Sequence, residues 1–346
     1  MKNILKITFV IIGSLIGAGF ASGQEIYIFF YSHGIYGLVG ILISSILIGV
    51  IINKSLKIIL NNDIVTYREF LDVIIKKKNN FKGLINITIN AFILVTFFIM
   101  IAGFGAYFEQ QLGINKIIGS ILLSLLCYIV FLKSINGVVK VNEIIVPILI
   151  IFIVYIGIKM LGVVNILEIR KYTLNLTGNN YMYILESILY SSYNSILLIP
   201  VMITLKQYVK ERRTIKYISF LTIIIVSVLA MIIYIILSKV DVNIQNLEMP
   251  AVYTVSKLSK ILSAIYGFII LSSIFTTAIS LGNSFLQNIA KNKKSYQQKA
   301  AIMCITSVII SQIGFSNLVN ILYPIFGYLG LIQIYKILTN SNITKR

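Results

Sequence analysis

The chain has 346 residues, of which 58% are hydrophobic and only 12% charged, so a soluble globular domain of this size is excluded. Its formal charge of +19 would suggest nucleic acid in a soluble protein, but the basic residues fall between apolar runs, where membrane topology and anionic headgroups account for them. Apolar runs of about 20 residues recur along the chain, the mark of a polytopic helical membrane protein. The expectation is a single transmembrane domain over 1–346, partnered by lipid, with no nucleic acid.

The first element, residues 4–31, is an apolar run interrupted by Gly13-Ser14-Leu15-Ile16-Gly17-Ala18-Gly19-Phe20-Ala21-Ser22-Gly23-Gln24-Glu25. Each glycine weakens a helix by about 1 kcal/mol relative to alanine. A broken helix in hydrocarbon leaves backbone groups unpaired, which is tolerable only where the break lines a cavity or a bound solute. Lys2, the apolar run and the small residues after it also have the look of a signal peptide. Against cleavage, the polar stretch leads straight into a further apolar run. Glu25, just past the break, is the most unusual charge in the chain. It reads either as a functional acid, for gating or proton transfer, or as an N-terminal acid of the second half-helix, solvated from an outer vestibule.

Nine further spans follow at roughly 35–58, 84–110, 116–134, 138–160, 182–205, 216–237, 260–289, 300–314 and 317–338. Between the second and third, Thr66-Tyr67-Arg68-Glu69 forms a capping box that opens a helix with Phe70, Leu71, Ile74 and Ile75 on one face and Asp72 and Lys76–Lys78 on the other. That pattern predicts a helix lying on the cytoplasmic surface. The sixth span carries a polar cluster, Tyr190-Ser191-Ser192-Tyr193-Asn194-Ser195, which predicts a second interrupted helix. The loop from Ser238 to Ser259, with Glu248-Met249-Pro250, is expected outside the cell. Glu109 and Glu186 sit near outer helix ends, where solvation explains them; Glu143, near the inner end of the fifth span, suits a structural hydrogen bond.

With the N-terminus inside, 23 Lys and Arg residues fall on the cytoplasmic side and 7 on the other, so both termini are expected in the cytoplasm of a multi-pass cell-membrane protein. Spans 1–5 and 6–10 repeat the same loop pattern, and each half has an odd number of spans. The halves, roughly 4–160 and 181–338, therefore insert with opposite polarity. Paired interruptions in inverted halves point to a transporter site; Ser and Thr that merely pack helices together are the alternative.

The string from Gly13 to Phe20 resembles the glycine-rich first-helix break of the amino acid–polyamine–cation superfamily. Gly17 to Ile26 with Phe29-Phe30, Ala102-Gly103-Phe104-Gly105-Ala106 with Phe108-Glu109, and Tyr323-Pro324 with Gly327-Tyr328 are similar to YkvI-like bacterial membrane proteins. The resemblance implies an all-α, ten-helix, LeuT-like 5+5 inverted repeat and a secondary transporter. It implies a sodium site from the carbonyls of Gly13, Ile16 and Ser273 and the hydroxyls of Thr276 and Thr277, although the two threonines also suit helix packing. Span 5 has Lys140 near its start but no lysine around Pro147, which favours sodium over protons as the coupling cation. The same resemblance implies a solute site. The amides around Gly17, Ala18 and Gly19 would cradle a carboxylate, Ser191, Ser192 and Asn194 would meet an amino group, and Tyr193 would close over the solute.

The expectation is thus a cation-coupled transporter of an amino acid or similar small zwitterion. A solute sensor or scaffold with a transporter fold is the alternative. Enzymatic chemistry has no support: His33 is the lone histidine, Cys127 and Cys304 lie in apolar runs, and the acids are scattered. A channel offers no reason for paired interruptions. No cofactor is expected beyond the coupling ion.

Overall fold

The computed structural model describes residues 2–75, 79–132, 138–161, 181–209, 211–240 and 243–340. Lys76–Lys78, Arg170 and Lys171 fall outside them, as do the side chains of Lys140 and Glu143. The described residues fold as helices: α1 Lys2–Leu15, α2 Ala18–Ser22, α3 Gln24–Phe29, α4 Tyr36–Asn61, α5 Tyr67–Ile74, α6 Asn79–Leu112 and α7 Lys116–Leu132. They continue with α8 Val138–Leu161, α9 Met182–Leu205, α10 Arg212–Leu237, α11 Pro250–Leu258, α12 Lys260–Ile289, α13 Lys293–Ile310 and α14 Phe315–Thr339.

Six helices are long and apolar enough to cross a bilayer: α4, the Ile87–Leu112 part of α6, α9, α10, α12 and α14. Three shorter apolar helices, Asn3–Leu15, Lys116–Leu132 and Val146–Met160, fall where three more spans are expected. The first is short because the glycine-rich stretch ends it.

Packing places the first segment at the centre. Helix α1 lies against α8, α9 and α10, and the side chains of Ile7, Ile11, Ile12, Ala18, Phe20, Ala21, Ile26 and Phe29 are wholly buried. Helix α9 packs chiefly on α14 and α4, α4 on α10, α12 on α6 and α8, and α7 on α6 and α13. The periphery is apolar. Ile118, Leu122, Leu125 and Ile129 of α7, and Ile302, Ile305 and Ile309 of α13, form exposed stripes at helical spacing. Apolar surface on this scale fits lipid rather than water.

One expectation is corrected here. The sixth span is not interrupted: α9 runs unbroken from Met182 to Leu205. Its polar cluster is absorbed by hydrogen bonds along the helix. Ser191 Oγ donates to Ser187 O (2.9 Å), Asn194 Nδ2 to Tyr190 O (2.9 Å) and Ser195 Oγ to Ser192 O (2.7 Å). Without glycine, the cluster has no residue that favours leaving the helix, and short polar side chains bond back to the preceding turn.

The surface helix α5 forms as the capping box predicts. Thr66 Oγ1 accepts from Glu69 N, and the Glu69 carboxylate accepts from Val65 N at 2.8 Å. Phe70, Leu71 and Ile74 are buried. Tyr67 hydrogen-bonds Gln333 of α14, whose amide nitrogen donates to Ser195 Oγ of α9 at 3.3 Å.

On the opposite end of the bundle, Pro250 opens α11 at a position where a missing N–H costs nothing. The approach to α11 is fastened twice. Gln110 of α6 donates to Met249 O and accepts from Met249 N, both at 2.9 Å, and the Glu248 carboxylate accepts from Ser316 N at the start of α14.

Candidate functional site

The site is built on the break. Helix α1 stops at Leu15, and Gly17 is extended before α2 begins at Ala18. A helix end leaves its last carbonyls without intrahelical partners. One of them, Ile16 O, accepts from Ser273 Oγ of α12 at 3.0 Å. Ser273 O in turn accepts from Thr276 Oγ1 at 3.0 Å. The break and the eighth span are therefore joined by a short chain of neutral oxygens.

A second turn follows at once. Gly23 adopts φ +86°, a left-handed conformation that residues with a Cβ avoid, and it ends α2 after five residues. A Cβ there would also meet Ala251 of α11 at 3.1 Å. Tyr266 of α12 donates to Ala21 O at 2.6 Å, and Gln24 Nε2 to Asn320 Oδ1 of α14 at 3.0 Å.

This reversal turns Glu25, in the first turn of α3, back onto α2. Its side chain is only 3% exposed. Its carboxyl lies directly over Gly19: a Cβ added there would sit 2.2 Å from Glu25 Oε1. The Phe20 backbone N–H bonds to the carboxyl, and Tyr193 Oη donates to Oε2 at 2.5 Å. Aromatic rings enclose it. Tyr193 stacks on Phe29 at 5.5 Å and on Tyr323 at 4.7 Å, and Tyr190 meets Phe29 and Tyr193 edge-on, each at 5.4 Å.

No family model matches the chain. It is 29% identical over 335 residues to the uncharacterized membrane protein YkvI of Bacillus subtilis (strain 168), covering 94% of this chain and 92% of that one. The chain resembles YkvI along nearly its whole length. It is also 24% identical over 331 residues to the uncharacterized protein YyaD of the same organism, covering 94% of each. Among solved structures it resembles MhsT in complex with L-phenylalanine, with TM-score 0.68, 15% identity, and 95% of this chain and 87% of that one covered. It also resembles a histidine-to-alanine mutant of the Eremococcus coleocola manganese transporter, with TM-score 0.64, 13% identity, and 97% and 78% covered. At these identities the likeness shows the fold alone, and that fold is LeuT-like.

On this YkvI-like frame the expected residues divide. Ile16, Ser273 and Thr276 come together, though through a contact the sequence does not announce: Ser273 meets the break with its hydroxyl rather than its carbonyl. Thr277, one position on, is half-buried, and Gly13 faces Val146 of α8, where a Cβ would lie 2.5 Å from Val146 Cγ2. Gly17, Ala18 and Gly19 are buried at the break, with the Glu25 carboxyl over Gly19.

Of the α9 cluster, Tyr193 alone bonds to Glu25. Ser191 donates to Ser44 O of α4 at 3.2 Å, the Ser192 backbone packs on Gly330 of α14, and Asn194 bonds within α9. Glu25 does stand in the first turn of the second half-helix, as one alternative has it, but its side chain is buried against α2 and α9 and not open to a vestibule. Sequence reasoning gave no site role to Tyr190, Tyr323 or Phe29. The spacing of Tyr190 and Tyr193, three apart and so on one helix face, is the signal that carries the first of them.

Proposed function

We propose that the protein is a cation-coupled secondary transporter of a small amino-group-bearing solute, of the amino acid or zwitterion class, working by alternating access at the cell membrane with both termini cytoplasmic. The observation that carries this reading is the junction of the broken first helix with α12, where Ile16 O, Ser273 and Thr276 share one hydrogen-bonded chain. Carbonyl and hydroxyl oxygens suit a small hard cation and need no buried counter-charge. A cation entering there would draw on Gly13, Ile16, Ser273, Thr276 and Thr277, with sodium the expected ion.

The packing supports a ten-span, 5+5 arrangement within one transmembrane domain. Helix α1 packs on α9, α4 on α10, α6 on α12 and α7 on α13, which pairs the first four spans of one half with their counterparts in the other. In this arrangement spans 1, 2, 6 and 7 rock against the rest. The interruption belongs to the first helix of the pair; the sixth span takes part as a continuous helix.

The test is a binding and flux measurement on purified protein. Thermal-shift screening against amino acids and simple amines, in sodium and in potassium, should give stabilisation that is larger in sodium. Replacing Thr276→Val and Thr277→Val keeps side-chain shape and should remove most of the sodium effect without loss of membrane insertion. Solutes that bind should then exchange across proteoliposomes. Full activity in sodium-free buffer, with dependence on pH instead, would transfer the coupling to protons. Binding without flux would make the protein a sensor.

A further inference from the structure

We infer that Glu25 is a cargo-binding carboxylate for a small organic ammonium that carries no carboxyl group of its own. The inference rests on the transporter reading but departs from its cargo, keeping the amino group and replacing the zwitterion with a simple amine. Glu25 is the one acid among the fully buried side chains of the described residues, and no Lys or Arg lies in ion-pair contact with it there. A buried carboxylate without a counter-charge is costly, and fixed structure rarely retains one unless a cation arrives to meet it.

The walls identify the kind of cation. Phe29, Tyr190, Tyr193 and Tyr323 present rings around the carboxyl, and aromatic faces attract alkylammonium groups. A hard divalent metal needs several oxygen ligands around one point. Here there is one carboxylate, and the described residues hold no cluster of three or more His, Cys, Asp or Glu able to bind a metal. The Tyr190 hydroxyl, 1% exposed, lies in the same cage beside Tyr193 and Asn194, a second polar oxygen at the same place. An ammonium with several N–H donors would engage both. Tyr193 Oη holds the place of the cargo: it gives Glu25 the hydrogen bond that an amine N–H would give.

The same geometry turns away a carboxylated cargo. The backbone at Gly19, where a zwitterion would lay its carboxylate, is already covered by Glu25 Oε1. Two carboxylates at one site repel each other.

The experiment compares matched pairs on the full-length protein in nanodiscs, each pair an amine and the amino acid that differs from it by one carboxyl group: phenethylamine and phenylalanine, tyramine and tyrosine, isobutylamine and valine, agmatine and arginine. Binding is measured by calorimetry in sodium buffer, with manganese chloride as the metal arm. At least one amine should bind, and more tightly than its amino acid. Glu25→Gln should weaken that amine on the order of 10- to 100-fold, as expected for loss of a charged hydrogen-bond partner. Tyr193→Phe keeps the ring and removes the competing hydroxyl, so amine binding should tighten. A variant that lost binding merely through disturbed packing would not show this opposition.

Amino acids binding while their amines do not would overturn the inference and leave the transporter reading standing. So would tight binding of manganese that Glu25→Gln abolishes. Binding by neither set, with no solute flux, would overturn both.

Discussion

Glu25 and Gly19 define each other. The acid fits over α2 only because position 19 has no side chain, so Gly19→Ala forces the carboxyl away from the Phe20 amide and from Tyr193. Overpacking of this kind typically costs about 1–3 kcal/mol. Gly17→Ala is the control: its Cβ would meet only Met100 Cε at an ordinary 3.9 Å. Thermal unfolding in detergent should separate the two, with Gly19→Ala clearly destabilised and Gly17→Ala close to the parent. Equal midpoints would show that the Glu25 carboxyl does not rest on Gly19. In the sequence, Glu25 and Tyr193 each stand out, one as an acid within an apolar run and the other inside a polar cluster. Their contact is not legible there, because it joins positions 168 apart and depends on the reversal at Gly23.

At the level of single elements, local chemistry was readable where it is self-contained. The Thr66–Glu69 box closes on itself, and α5 starts where those residues place it. The Glu69 carboxylate, held first by the Val65 N–H and then by the Thr66 hydroxyl, has its pKa below the ordinary carboxylate value. A depressed folded-state pKa gives a contribution that is present above the ordinary value and lost as pH falls through the lowered one. Amide protection factors across α5 should therefore fall when pH drops below the ordinary range near 4, and Thr66→Ala, costing about 1 kcal/mol of local stability, should lower them at neutral pH as well. Exchange in α5 that is indifferent to both would detach the helix from its cap.

The polar run in α9 is less legible, because its outcome depends on what surrounds it. Serine and asparagine leave a helix only when something else rewards them, and here the preceding turn accepts their hydrogen bonds. The break in the first helix differs because Gly23 supplies a left-handed conformation packed against Ala251, and Gly19 leaves the room that the Glu25 carboxyl fills.

For the whole molecule, hydropathy shows how much chain is embedded, and loop lengths suggest which helices correspond. What they omit is which faces meet, since lipid and protein interior are equally apolar. The expected orientation follows from the 23-to-7 division of basic residues. In a background lacking Cys127 and Cys304, Glu248→Cys should react with an impermeant maleimide added to intact cells, and Lys77→Cys should not. The reverse pattern would invert the topology.

The fastening of Met249 to Gln110, and of Glu248 to Ser316, also bears on access. Pinning a loop at its middle recovers little chain entropy, since each doubling of loop length costs only about 0.6 kcal/mol. The hold on α11 therefore combines three hydrogen bonds at the rim of the bundle, each worth about 0.5–1.5 kcal/mol net, with the burial of Pro250, Ala251, Val252, Thr254 and Val255. With Ala251 seated against Gly23, the buried turn of the first segment is uncovered on this side only if the packing of α11 opens along with those bonds.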